Sequence, residues 1–575
     1  MNLFVIPALL ALAMGDPQGA TASDAALSYQ LSFDPASDPP RWLVSLDARG
    51  LDPSEKDVAF VLNDWGEWSE VAEQYLLSYA GSPDLVRAPG TGSIFKFEPP
   101  SDWQGDLHFE YELALLEGGS ELHSKHALLP HISEGYAFGY SNNTLARLQV
   151  AGQPSGLSCT IQLSAPQSWE VVTGWNGQTA QGQTISFCPE DTALLAFGQE
   201  VIHESRRVGE QVHEFHQFGG GVDLSEEVLS VQTALLPIYE KAWSTPLAKT
   251  SRVFLVKHHL GGTRMDHGVV VGFGPDHPER FIRSPYILHL LAHEFFHEWL
   301  GGKLLREDAS LVWFGEGFTE YLSLFYSAKA QLVSESWFVD RMVELAQEAA
   351  YNSSLGRLAF GDAQVNWRDA DGPNETMAYK GGALLAFAMD TELRKAGQPG
   401  LMSFMNSLYA SSGGRYSLDN IRAEIERLEL QEFYERYILG TEIPNLEEAF
   451  TVAGVPMVPV DCQLTYFGMR TDGVGEQQVV AELDPKGPAL RAGARVGDRI
   501  LSHSGGHRRG VQLKDSVTTP FDYGLSSLDP DEVVCTLQIE RAGEPLELSI
   551  APALIEGGTY ASFEYEPGGM DDFFQ

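Results

Sequence analysis

"HEFFHEWLGGKLLREDASLVWFGEGFTEY" spans His293 to Tyr321 and decides how the rest of the chain is read. His293 and His297 are four residues apart, so on a helix they stand one above the other on the same face. Two imidazoles presented in this way can share one cation. Glu294, beside the first of them, can reach a metal-bound water without being a ligand itself. A catalytic zinc takes three protein ligands and keeps one position open for water. Glu316 is the best third ligand. It lies in "WFGEGFTEY", on what reads as the next helix, with Gly301-Gly302 ending the first. Glu320 follows Glu316 by four, on the same face, and suits the outer N–H of a ligating histidine.

Length and charge bound what surrounds this stretch. A chain of 575 residues is too long for one core and implies three or four domains. The formal net charge of -41 would repel a phosphate backbone, so nucleic-acid binding is excluded as a function. It also disfavours an anionic membrane surface and fits solubility in a salty or extracellular medium. Leu3–Met14 is apolar but too short to span a bilayer, and Ala20-Thr21-Ala22 offers a small-residue cleavage site. A secretory signal over 1–22 and export, periplasmic or secreted, are therefore expected, although no Lys or Arg precedes the apolar run. No later segment is apolar enough for a transmembrane segment. The cysteines are Cys159, Cys188, Cys462 and Cys535. Export permits disulfides 159–188 and 462–535, and buried thiols are the other reading. No Cys-x-x-Cys occurs, which excludes a cysteine zinc site.

Along the chain, residues 25–199 carry short β-rich runs such as "RWLVSLDARG" and "DLHFEYELALL", split by Gly, Pro and Asp turns. They read as an antiparallel sandwich. Residues 200–453 begin with strands, "RVFLVKHH" and "GVVVGF", and continue in long helical patterns. "GVPMVPV" reads as a linker. Short strands return over 460–552, and the acidic tail 553–575 reads as flexible.

"HEFFHEW" followed by "WFGEGFTEY" resembles the glycyl aminopeptidase family, zinc metallopeptidases of the gluzincin clan. The likeness implies a multidomain α+β chain: an N-terminal β-sandwich, a thermolysin-like, mainly helical catalytic domain and a C-terminal PDZ-like domain. "GPALRAGARVGDRI" looks like a PDZ segment. The implied activity is Zn²⁺-dependent removal of the N-terminal residue, Gly or Ala by the family's name, from peptide substrates. His293, His297 and Glu316 carry over as ligands and Glu294 as the general base. Relatives have a Tyr-x-Lys-Gly stretch whose tyrosine stabilises the tetrahedral intermediate. "MAYKGGALLAFAMDTELR" aligns Tyr379 with it, but Gly381 stands where Lys is usual and Lys380 precedes it. Relatives also carry a glutamate, ahead of the zinc helix, that binds the substrate's amino group. In "GGTRMDHGVVVGFG" the nearest match is Asp266, one methylene shorter, with Arg264 close by; a polar turn is the other reading. Phe467-Gly468-Met469 is expected to grip the carboxylate of a peptide ligand in the PDZ groove, and "FDYGLSSL" to form the facing helix. Two other functions stay open. One is an endopeptidase without N-terminal recognition, which Asp266 in place of Glu supports. The other is a PDZ peptide-binding protein with a vestigial peptidase domain, which the complete ligand set opposes.

Overall fold

The computed structural model describes residues 26–574 except 56, 63–74, 83–84, 89–93, 98–99, 115–129, 247, 258–260, 274–284, 353, 363–372, 460–462, 473–478, 484, 506–522, 527–534, 552, 557–562, 565–568 and 571. The expected signal segment 1–22 lies outside the described residues. Among those described, no helix is long and apolar enough to cross a membrane. The chain divides into two compact units, 1–237 with 246–295 and 238–245 with 296–575. These bounds differ from the sequence expectation of a catalytic domain over 200–453. The strands that open that region group with the N-terminal part, and the cut falls inside the continuous helix Pro285–Phe296.

In the first unit, Ala26–Asp34, Arg41–Arg49 and Leu107–Ala114 alternate inward and outward residues, the period of a half-buried strand. They lie in a six-stranded sheet that shares one core with a five-stranded sheet containing Val58–Val61 and Ile94–Phe97. Tyr29, Trp42, Phe60, Phe95 and Phe109 fill it. The expectation of purely antiparallel sheets is corrected at one seam. Ala26–Ser32 runs parallel to Ser158–Ser164. These strands are far apart in the chain, so no tight hairpin sets their direction. The 159–188 disulfide is also corrected, because both thiols are free. Burial pushes Cys159 up to about 12, which leaves it inert as a nucleophile.

The sheet that reaches the candidate site runs Ile202–Val208, Gln211–Phe218, Thr250–Lys257, Gly268–Phe273, Gly261–Met265. Its three middle strands are parallel, and the crossover between the first two of these contains the helix Ser225–Trp243. Gly261–Met265 turns back antiparallel onto Gly268–Phe273 and ends the sheet.

The second unit is helical up to about residue 453, with Val312–Lys329, Glu335–Asn352, Gly382–Lys395 and Leu401–Ser412 the longest elements. Tyr321 donates to Asp390 Oδ2 at 2.6 Å, and Asp390 Oδ1 accepts from Leu401 N–H at 2.6 Å. That one buried carboxylate ties three helices together. Beyond the linker, Met469–Asp472, Val479–Leu483, Arg499–Gly505, Cys535–Arg541 and Glu544–Ile550 form a sheet over a small core of Val480, Ile500, Leu537 and Ile539. Two expectations fail in this region. Within "FDYGLSSL", Tyr523–Ser526 is not a helix but a strand whose backbone pairs antiparallel with Gln463–Tyr466. The tail is not flexible throughout, since Met570 and Phe573 are buried. Cys462 lies outside the described residues, so the 462–535 pairing does too.

The first unit contains an acid-sensitive feature. His213 and His216 are fully buried on Gln211–Phe218, and neither ring nitrogen of His213 has a hydrogen-bond partner among the described residues. Burial lowers both pKa values below the ordinary 6.5, with the Arg206 charge adding to the effect at His213. The unfolded chain therefore binds protons that the folded chain refuses once pH drops below 6.5. Stability should be full above that pH and fall below it, by at most about 1.4 kcal/mol per pH unit per histidine. Thermal melting at pH 7.5 and 5.5 measures this, and His213→Phe should flatten the dependence.

Candidate metal centre

The histidine helix, Pro285–Phe296, begins after residues outside the description and runs through "PYILHLLAHEFF". Apolar residues surround it: Ile287, Leu291, Ala292, Phe295 and Phe296 are all buried. His293 and Glu294 are buried in the same helix, and His297 follows one turn after His293. Nδ1 of His297 lies 2.8 Å from the Leu300 carbonyl. A carbonyl only accepts, so Nδ1 carries a proton, and in the neutral tautomer that this selects Nε2 is the nitrogen with the lone pair. That Nε2 stands 3.2 Å from Glu316 Oε2.

Glu316 comes from the first turns of Val312–Lys329. Asp308 caps the short turn before that helix by accepting from Ser310 N–H at 2.7 Å. The other oxygen of Glu316, Oε1, lies 3.5 Å from Arg306 Nη1. Arg306 sits in a two-strand ladder with Tyr416, formed by Leu305–Arg306 and Arg415–Tyr416. The carboxylate is thus divided between an imidazole and a guanidinium. Sequence reasoning passed over Arg306 because nothing in "KLLRED" marks it; only the short ladder brings it to Glu316.

His293, His297 and Glu316 offer ligand atoms that all lie within 4.8 Å of one another. His293 is in the last turn of the helix and His297 opens the turn that directly follows it, and His297 meets Glu316 at 3.2 Å. Two imidazole nitrogens and one carboxylate oxygen are a donor set suited to a divalent zinc with an open position. A second group, His289, His293 and Glu320, meets the same distance criterion. Charge decides between them. Glu320 Oε1 is already 3.3 Å from Lys380 Nζ and 3.6 Å from Arg341 Nη2, so a dication there would face two cations. Glu320 is therefore the carboxylate that faces Lys380 and Arg341. Arg341 is held charged against its own burial by Glu320, Glu348 and Glu344.

Tyr379 lies in a π-helical turn, Met377–Gly381, that leads into Gly382–Lys395. Wide turns of this kind interrupt a helix where a side chain must be re-aimed. The turn meets the glutamate helix through glycines. A Cβ on Gly317 would overlap Gly382, and one on Gly382 would lie 2.5 Å from the Trp313 carbonyl. The same arrangement turns Lys380 onto Glu320.

In the first unit, Gly262 lies against Glu294: a Cβ there would sit 2.5 Å from Glu294 Cγ. Burial, with the Glu294 charge second, pushes the Tyr140 hydroxyl well above its ordinary range, which places Tyr140 near the same carboxylate. Neither residue is signalled by a sequence motif. Asp266 is a correction. It sits in the two-residue turn at the far end of Gly261–Met265, four residues from Gly262, or about 13 Å along a strand. Its Oδ2 accepts from Thr192 N–H at 2.7 Å and its Oδ1 faces Arg264 at 3.3 Å, while His267 pairs with Asp191 at 2.8 Å. These contacts favour the polar-turn reading of Asp266 over the amine anchor.

No family model matches the chain, and no curated protein matches it. Solved structures do. The fold is similar to that of the aminopeptidase N family protein from Idiomarina loihiensis, with a TM-score of 0.71 over 95% of this chain and 99% of that one, at 14% identity. At that identity the likeness establishes the fold. An M1 zinc metallopeptidase from Deinococcus radiodurans aligns with a TM-score of 0.45 at 14% identity, over 73% of this chain and 95% of that one. Aminopeptidase A from Legionella pneumophila aligns at 0.43 and 13%, over 78% and 55%. Neither of these weaker matches carries an argument.

The geometry at Asp266 generates a direct test. Asp266→Ala should lower stability by about 1–2 kcal/mol through the lost backbone hydrogen bond. It should leave the ratio of KM values for free and N-acetylated peptides unchanged. Thermal melting and steady-state kinetics on the two peptide types check both parts.

Proposed function

We propose that this chain is a zinc-dependent peptidase that removes the N-terminal residue from peptides. The observation that carries the reading is the convergence of His293, His297 and Glu316 beside Glu294 on the same helix. The fold shared with an aminopeptidase N family protein supports it. His293, His297 and Glu316 would hold the metal. When bound, zinc supplies Lewis acidity toward the scissile carbonyl and acidifies water. Glu294 takes the proton of the attacking water on a carboxylate oxygen and passes it to the leaving amine. Low exposure and the backbone of Gly262 restrict its rotamers, which fixes the direction of transfer. Tyr379 donates a hydrogen bond from its hydroxyl to the oxygen that gains charge in the transition state. The strand Gly261–Met265 ends its sheet among the described residues, so substrate backbone can pair along it and pass Glu294.

The finer parts of the reading rest on sequence resemblance: a Gly or Ala first residue, a PDZ-like C-terminal domain that takes a peptide ligand, and export. A second reading, an endopeptidase without N-terminal recognition, is favoured by the position of Asp266, which leaves the relatives' amine-binding acid without a counterpart there. A panel of free and N-acetylated peptides separates the two: cleavage of free peptides alone supports the aminopeptidase, and equal cleavage supports the endopeptidase.

Glu294→Gln should retain zinc and lose activity by roughly 10²–10⁴-fold, as for removal of a general acid–base group. Metal content and turnover measured on one preparation check it. Turnover within a few-fold of wild type would remove Glu294 from the mechanism.

A further inference from the structure

Gly569, Met570, Phe573 and Phe574 are seated on helices of the second unit. Met570 is fully buried and Phe573 is 5% exposed. The ring of Phe573 meets Phe325 at 5.7 Å and Phe387 at 6.1 Å, both edge-on, and the Arg394 guanidinium lies 4.4 Å over its face. Phe574 meets Phe338 at 5.4 Å and Phe325 at 5.5 Å. Such ring pairs and a cation over a ring face add direction to plain burial. The backbone is gripped as well. Glu335 accepts from Gly569 N–H at 3.2 Å and from Met570 N–H at 3.4 Å, one with each oxygen. Gly454 and Gly569 touch backbone to backbone, with room for a side chain on neither.

The residues that receive this segment stand on functional helices. Phe325 is on the helix that carries Glu316 and Glu320. Phe338 is on the helix that carries Arg341. Phe387 and Arg394 are on the helix that continues from the turn holding Tyr379 and Lys380. Arg394 also lies 3.3 Å from Asp390, the carboxylate that receives the Tyr321 hydroxyl.

We infer that Phe325, Phe338, Phe387, Arg394 and Glu335 form a docking surface for a tight turn with two adjacent aromatic residues, closed by the hydrogen bond from Phe574 N–H to the Met570 carbonyl at 3.0 Å. Its occupant is the chain's own Gly569, Met570 and Asp572–Phe574, bound in cis. Occupancy holds the three helices in the register that brings Glu316, Glu320 and Tyr379 to the centre. The consequence for the centre rests on the metallopeptidase reading; the docking itself does not.

The test uses the full chain. Phe573→Asp places a charge among the rings and should release the segment. Melting temperature should fall, and zinc loss to a competing chelator should quicken about tenfold, the lower end for a supporting residue of a metal site. The synthetic peptide GGMDDFFQ, added to this variant, should reverse both changes. A peptide with both phenylalanines replaced by aspartate should reverse neither. Should Phe573→Asp fail to accumulate folded, Glu335→Gln gives the same two readouts with a milder change. Unaltered melting and zinc loss in both variants, or a destabilised variant that the peptide does not rescue, overturns the proposal. Peptide rescue of melting with no zinc bound in any form would uphold the docking and reject the metallopeptidase reading, so the two failures are separable.

Discussion

At the contact of Gly317 with Gly382 two backbones approach so closely that neither position has room for a methyl group. This approach sets where the rest of the centre can be. Gly317 follows Glu316 directly, and Gly382 closes the π-helical turn that holds Tyr379 and Lys380. A side chain at either glycine would part the two elements by a few ångströms. Glu316, Glu320, Tyr379 and Lys380 would then no longer share one neighbourhood. Buried hydrogen bonding from Tyr321 to Asp390 locks the same two helices further along, and the aromatic pair near the chain end closes them from behind.

Electrostatics at the centre run against those of the whole chain. The protein carries a formal net charge of -41, yet Glu316 and Glu320 are surrounded by Arg306, Arg341 and Lys380. The cations divide between the two carboxylates, with Arg341 and Lys380 facing Glu320. They leave Glu316 with one oxygen toward Arg306 and the other toward His297. With Oε1 facing Arg306, Oε2 is the oxygen that Glu316 would offer to a metal.

Much of this was written in local spacing. His293, Glu294 and His297 follow from the helical period, and Glu316 from its place in the next helix. The β character of the N-terminal region follows from alternation. What the sequence hides are contacts set by topology. Asp266 seemed suited to an amine anchor because it is acidic and near the right strand. Only the hairpin shows that it is at the strand's far end, bonded to Thr192. Arg306, Tyr140 and Gly262 reach the site through a two-residue ladder, a neighbouring sheet and an edge strand, none of which has a motif. The parallel seam between Ala26–Ser32 and Ser158–Ser164 is likewise invisible to periodicity. The acidic tail reads as flexible by composition, because two adjacent phenylalanines do not reveal which helices they fit.

The central claim is that His293, His297 and Glu316 together hold one catalytic metal. Anomalous diffraction at the zinc absorption edge, on crystals of the zinc-loaded protein, tests it most directly. The account predicts one strong peak per chain, within bonding distance of His293, His297 and Glu316. A peak bounded instead by His289, His293 and Glu320, or no peak within reach of His297, would contradict it.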